Sequence, residues 1–316
     1  MKTLRRIFIG FGAFLLFAWV GLVVYAYWPA DFEETPARQL AGPEDRFVDV
    51  DGLQLRYREY GQQGPDQPSL VLIHGFGNSL QSFRLVAPLL ADDYHVITVD
   101  MPGFGLSSKP AQWDYRNANQ ARVMGDFIRA LGLDKVIVGG HSLGGSVALR
   151  VAVAEPEVTG LVLMNPGILN SGVPAIAQYY VFPMERLLAK QMGKREFRES
   201  MIKGSFIDPD IVTEEVMDNL ELTTRSEGYL AGMTTMMGQY EAPDEEPLLA
   251  EATMPTVIVW GELDKRKTPA ELAQLEAGLP NERTVKVPGV GHYVHEEGPE
   301  AVAAGLINLK NFLASS

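Results

Sequence analysis

The chain has 316 residues, 46% of them hydrophobic, enough to bury the core of one large mixed α/β domain. Its 27 basic and 40 acidic residues leave a net charge of −13, which argues against nucleic acid as a partner and gives the body no electrostatic hold on an anionic lipid surface. There is no cysteine, so disulfides, thiolate catalysis and cysteine-based metal sites are excluded together.

In chain order, Ile7 to Trp28 is an uncharged apolar run. As a helix rising ~1.5 Å per residue it spans a bilayer core. Lys2, Arg5 and Arg6 precede it and no further basic residue comes before Arg38, which orients the N-terminus to the cytoplasm and the body to the periplasmic or extracytoplasmic side of the inner membrane. Tyr25, Tyr27 and Trp28 form an aromatic exit and Pro29 ends the helix. Residues 1–30 read as a retained single-pass anchor; a cleaved secretory signal is the alternative, although its usual short apolar core and small-residue cleavage site are not evident. Residues 31–45, rich in Glu, Pro, Ala and Gly, read as a juxtamembrane linker. Among Gly10, Gly12, Ala13, Ala18 and Gly21 no two are four apart, so the span offers no small-residue pairing motif and no support for a homodimer.

The body begins near Arg46. Phe47–Val50 and Leu53–Tyr57 flank Asp51-Gly52, a pair suited to a two-residue hairpin. Leu70–Ile73, His95–Val99, Lys135–Val138, Leu161–Leu163 and Thr256–Trp260 are short apolar runs separated by helix-length segments, the pattern of buried parallel strands, and Val285–Val287 is a weaker last strand. These make a mostly parallel eight-stranded sheet with helices on both faces, its core formed by residues 46–165 and 248–316. From 166 to 247 no strand is predicted. This interval reads as a helical cap inserted over the strand ends, where open α/β sheets place their sites.

Gly140-His141-Ser142-Leu143-Gly144 follows a predicted strand and opens a helix. A G-x-S-x-G at such a bend exposes its serine, while the flanking glycines avoid collisions that a Cβ would cause. Ser142 is therefore the candidate nucleophile. A serine hydroxyl needs a base. With acid and base following the serine in chain order, His292 and His295 remain, since His74 and His95 precede it and His141, adjacent, is expected to point away across the turn. His292, after Gly291 in the loop beyond the last strand, is preferred, and His295 is expected to pack or face solvent. Asp264, in the loop after Thr256–Trp260, is the candidate acid that orients the imidazole, with Glu262 and Asp244 as rivals. His74-Gly75-Phe76-Gly77 follows a strand where one oxyanion-hole N–H is expected, so Phe76 and Leu143 are the predicted donors.

With these pieces in order, the chain from about Phe47 to Leu313 resembles the α/β-hydrolase superfamily. Asp100-Met101-Pro102-Gly103-Phe104-Gly105-Leu106-Ser107 and Gly291-His292-Tyr293-Val294-His295-Glu296-Glu297-Gly298-Pro299 look like two further habitual segments of it. Members with epoxide hydrolase or haloalkane dehalogenase activity carry Asp at the nucleophile position, and Ser142 argues against both. A single span before a capped body is similar to membrane-anchored monoacylglycerol lipases and bacterial phospholipases A. That likeness implies a serine ester hydrolase working through an acyl-enzyme on lipid esters, with the bilayer as partner and neither metal nor organic cofactor.

Within the cap, Tyr179, Tyr180, Phe182, Met233, Met236 and Met237 are candidates to line an acyl-chain pocket. Met184 to Lys203 is a basic amphipathic stretch (Arg186, Lys190, Lys194, Arg195, Arg198, Lys203) that suits a solvated helix face or, as the alternative, lipid headgroups, with Arg195 and Arg198 as the positions that test it. Three rivals share some of these features. They are a carboxylesterase for small soluble esters, a carbon–carbon bond hydrolase with a cationic pocket, and a non-catalytic ligand-binding protein.

Overall fold

The computed structural model describes residues 2–30, 32, 34–64, 67–169 and 182–313. Its strands are β1 (Arg46–Val50), β2 (Leu53–Tyr60), β3 (Ser69–Ile73), β4 (His95–Val99), β5 (Val136–His141), β6 (Val158–Met164), β7 (Thr256–Gly261) and β8 (Glu282–Val287). They form one sheet in the order β1-β2-β4-β3-β5-β6-β7-β8. β2 is antiparallel to both of its neighbours, and the pairs from β4 to β8 are parallel. At the β1–β2 turn Asp51 and Gly52 both have positive φ, 50° and 77°, as the tight hairpin predicted there demands.

The helices are α1 (Lys2–Tyr27), α2 (Ala37–Leu40), α3 (Ala87–Leu90), α4 (Asn117–Ala130), α5 (Leu143–Ala154), α6 (Met184–Met192), α7 (Arg195–Lys203), α8 (Glu214–Arg225), α9 (Tyr229–Gly238), α10 (Pro269–Gly278), α11 (Val294–Glu297) and α12 (Pro299–Leu313). Strand residues alternate between two cores, as the two-residue side-chain period requires. Val71, Ile73, Val136, Val138, Leu161, Leu163 and Ile258 pack with α4, α5 and α10, whereas Leu70, Leu72, Ile137, Val162 and Val257 pack with α3 and α12. Both faces are covered, which explains why these strands are apolar at most positions. Each fully buried Leu or Ile contributes roughly 2 kcal/mol by leaving water.

Between β6 and β7 the described residues hold helices and short 3-10 turns and no strand. Ile202, Phe206, Val212, Met217 and Leu220 form a small core of their own, closed by Tyr293 from the loop after β8. By Glu245 the chain is back against α4 and α5, where that carboxylate accepts hydrogen bonds from Asn117 (2.8 Å) and Arg150 (3.0 Å). Two residues of the stretch read as a linker rest on these helices. Phe32 meets the Tyr229 ring edge-on at 5.5 Å, and the Thr35 N–H donates to the Arg225 carbonyl at 3.0 Å.

α1 is the one helix among the described residues long and apolar enough to cross a membrane, and most of its large apolar side chains, Phe8, Phe14 and Phe17 among them, are exposed.

Candidate active site

β5 ends in a bend that the flanking glycines make possible. A Cβ on Gly140 would lie 2.0 Å from the Gly144 carbonyl oxygen, and one on Gly144 would lie 2.1 Å from that of Ile73. Ser142 itself takes φ 50° and ψ −116°, a strained conformation for a residue with a side chain. Hydrogen bonds hold it there: its N–H donates to Met164 O at 3.1 Å, while its carbonyl accepts from Gly145 (2.9 Å) and Gly167 (2.8 Å). α5 starts at the next residue, which directs the unsatisfied N–H groups of a helix N-terminus toward the serine.

Across a cleft from this bend lies His292. Ser142, His292, His141, Tyr293, Gly75, Phe76, Met201, Ser205 and Arg266 line the cleft, which opens to solvent. The His292 Nδ1–H donates to Asp264 Oδ2 at 2.7 Å. Asp264 is tied down further, since Oδ2 also accepts from the Asn165 side-chain amide and Oδ1 from the Arg266 backbone N–H, each at 2.7 Å. Burial alone would raise its pKa, but the His292 hydrogen bond and charge, with these donors, hold the carboxyl below the usual range. Asp264 stays ionised and keeps the His292 proton on Nδ1, leaving Nε2 free to accept. Ser142 and His292 share the cleft without a hydrogen bond between their side chains, an arrangement that substrate commonly tightens.

The Gly75-Phe76 loop lies against the bend, for a Cβ on Gly75 would sit 3.2 Å from Ser142 Cβ. Neither the Phe76 nor the Leu143 N–H donates to another described residue, and Phe76 lines the cleft. The Phe76 ring packs edge-on against Phe104 at 5.7 Å.

The other histidines are occupied elsewhere. His74 is fully buried, with Nδ1–H donating to Gly75 O at 2.8 Å and Nε2 accepting from the Met101 N–H at 3.2 Å. His95 is buried at the start of β4, beside Ser69. His295 is completely buried against Phe83 and His141, so it packs and does not face solvent. His141 departs from expectation. Instead of pointing away, its ring lines the cleft and its Nε2–H donates to the His292 carbonyl at 2.9 Å. Of the rival acids, Asp244 pairs with Arg150, and the Glu262 side chain is exposed.

Among the described residues, the acyl-pocket candidates are not on these walls. Met233 and Met236 are buried in the main core, with Met237 packed against it. Met236 reaches the Gly103 and Tyr115 region, and none of the three lines the cleft. Phe182 is exposed beside α1, and Tyr179 and Tyr180 lie outside the described residues. The helical stretch between β6 and β7 lines the cleft instead through Met201 and Ser205. The headgroup role expected of Arg195 and Arg198 is also overturned. Arg198 is 1% exposed and donates to the carbonyls of Gly77 (3.2 Å) and Leu220 (3.0 Å), and Arg195 pairs with Glu214, Asp218 and Glu221 of α8.

Three residues went unnoticed in the sequence. Asn165 bridges Asp264 and the Gly261 N–H (3.0 Å), Arg266 donates from its guanidinium to Ser205 Oγ at 2.7 Å, and Tyr293 roofs the cleft. Asn at the end of a strand was the available signal for the first, because Asn tolerates the positive φ of 41° found there.

Comparison with known proteins agrees with this fold. A family model described as alpha/beta hydrolase fold matches residues 68–299. An uncharacterised hydrolase of Bacillus subtilis, YugF, is 31% identical over 84% of this chain and 97% of its own length. Lipase 1 of Psychrobacter immobilis is 27% identical over 76% of this chain and 75% of its own. Among solved structures, a membrane phospholipase A described as a bacterial virulence factor superposes with a TM-score of 0.70 at 25% identity, covering 99% of this chain and 100% of that one.

Proposed function

The chain belongs to the α/β-hydrolase family, and from that premise we propose that it is a membrane-anchored serine hydrolase cleaving carboxylic esters of lipids. The observation that carries this reading is the strained bend at Ser142 facing, across one cleft, a histidine whose far nitrogen is locked to a buried carboxylate.

In the proposed reaction His292 Nε2 takes the Ser142 hydroxyl proton as Oγ attacks the ester carbonyl. Negative charge on the tetrahedral oxygen is received by the Phe76 and Leu143 N–H groups, each donor worth ~3 kcal/mol to the transition state. The imidazolium, stabilised by Asp264, returns its proton to the departing alcohol. Water, deprotonated by the same ring, then releases the fatty acid from Ser142. All of the charge and proton handling in this scheme is met by side chains and backbone of the chain.

Support for lipid as substrate comes from the exposed apolar α1, the membrane phospholipase A and lipase relatives, and the Phe76 and Met201 surface of the cleft. We place α1 in the inner membrane with the body on the extracytoplasmic side, following the basic residues that precede it.

A fluorophosphonate probe should label the intact chain and not Ser142→Ala. Hydrolysis of a p-nitrophenyl ester should vanish in His292→Ala and persist in His295→Phe. Labelling that survives loss of the Ser142 hydroxyl would overturn the assignment. Lipid mass spectrometry of cells carrying the intact chain or Ser142→Ala identifies the ester consumed, and a preference for short soluble esters would shift the reading to a carboxylesterase.

A further inference from the structure

The end of α1 has more hydrogen-bond acceptors than its own backbone can serve. The last four carbonyls of any helix lack intrahelical donors. Here the Trp28 N–H reaches Val24 O at 2.8 Å, but the next residue is Pro29, which has no N–H to offer Tyr25 O. The missing donors come from α6. Lys190 Nζ donates to Tyr25 O at 2.8 Å and to Trp28 O at 3.0 Å, and Arg186 Nε donates to Ala26 O at 3.0 Å. Both cations also lie over aromatic rings, Arg186 at 4.7 Å from the Tyr27 centroid and Lys190 at 4.9 Å from that of Tyr25. Arg186 and Lys190 are four residues apart and so share one face of α6, and positive charge suits the negative end of the α1 dipole.

Two residues before α6, Phe182 reaches along α1. Its ring lies 6.1 Å from Trp19 and 5.8 Å from Tyr27, and its carbonyl accepts from the Trp19 indole N–H at 3.3 Å. Trp19 and Tyr27 are eight residues apart, ~12 Å along a helix, so Phe182 sits between them, roughly one turn inside the helix end. It is 46% exposed, and Met184 beside it is 36% exposed. With Tyr25, Tyr27 and Trp28 at headgroup level, this height is the boundary between headgroups and acyl chains, the depth at which amphipathic elements seat their apolar side.

We propose that the segment from Phe182 to Lys190 is a lipid-seating surface: Arg186 and Lys190 close the end of the anchor at headgroup level while Phe182 and Met184 enter the adjacent leaflet beside it. α7 follows α6 at once and carries Met201, with Ser205 just beyond, so the clamp sets the height of one cleft wall above the bilayer. Esters still embedded in lipid are thereby favoured over dissolved ones. The proposal rests on the membrane-anchor reading of α1 given above.

Because the chain has no cysteine, Phe182→Cys gives a single labelling site. The full-length protein is labelled there with an environment-sensitive fluorophore and placed in phosphatidylcholine–phosphatidylglycerol vesicles containing nitroxide lipids. A nitroxide near the start of the acyl chain should quench it more strongly than aqueous iodide does. In an unlabelled chain, Arg186→Gln with Lys190→Gln should lower hydrolysis of vesicle phospholipid about tenfold, with p-nitrophenyl butyrate hydrolysis unchanged. Quenching by iodide alone in a chain that resists carbonate extraction, or equal loss on both substrates, would overturn the seat while leaving the anchor standing. Release of the chain by carbonate removes the anchor itself and the seat with it.

Discussion

His141 Nε2 donates to the carbonyl oxygen of His292 at 2.9 Å, so the residue before the serine bend holds the backbone of the loop that brings the second imidazole to the cleft. Burial, followed by the neighbouring His295 and His292, pushes the His141 pKa well below its ordinary value, which keeps the ring neutral with one proton to donate.

Removing that donor should loosen His292 without touching Asp264. His141→Ala is expected to lower kcat on a p-nitrophenyl ester about tenfold or more, since small displacements of a reacting group are costly. His141→Gln, which can still donate, should recover part of the loss. If both variants keep wild-type kcat, the hydrogen bond has no part in positioning His292.

Stability should fall in acid because of His295. Burial first, then Arg84 and His292, lowers its pKa from 6.5 to about 3. Below 6.5 the unfolded chain takes up a proton that the folded chain refuses until about 3, so the stabilisation is complete above 6.5 and is lost as pH falls from there. At pH 5 the loss amounts to about 2 kcal/mol. Glu296, raised to about 7 by burial against the pull of Arg84, acts in the opposite direction, and a mutant comparison cancels it. The Tm of His295→Phe relative to the parent should therefore rise as pH falls from 7 to 5; parallel curves would count against this account.

The Arg56–Asp100 pair is a test of the core. Both side chains are fully buried, with Arg56 Nε 2.6 Å from Asp100 Oδ2, and Asp100 also accepts from the N–H groups of Leu80 (2.7 Å) and Leu106 (2.8 Å). Burial opposes ionisation of Asp100, yet Arg56, His74 and the two N–H groups hold its pKa below the ordinary value. Asp100→Ala strands a buried guanidinium and should cost roughly 3–5 kcal/mol in urea unfolding. A loss under about 1 kcal/mol would mean that water or Asp45 replaces the carboxylate.

Arg198→Glu should impair hydrolysis of vesicle lipid and of a soluble ester together. The arginine joins the Gly77 loop to α8, and a carboxylate there would face two carbonyl oxygens. Selective loss on vesicles would restore the headgroup role that its burial contradicts.

Much of the sheet was legible because strands buried on both faces are largely apolar, and the runs at Leu70, His95, Val136, Leu161 and Thr256 stand out against polar loops. The bend at Ser142 was legible because only glycine fits at Gly140 and Gly144. The walls of the cleft were not. Met201, Ser205 and Arg266 carry no local pattern that separates them from Met233, which has the same helical setting and lies in the core.

The sequence by itself determined the order of strands and helices, the apolar N-terminal segment and the tight bend at Ser142, because each depends on spacing and steric size within a few residues. Only the tertiary structure decided which polar group meets which. Whether Arg198 faces solvent or a buried carbonyl, whether His141 turns to the cleft, and whether Lys190 reaches lipid or the end of α1 all depend on residues more than twenty positions away. Hydrogen-bond and charge partners are chosen by packing, and packing is a property of the assembled chain.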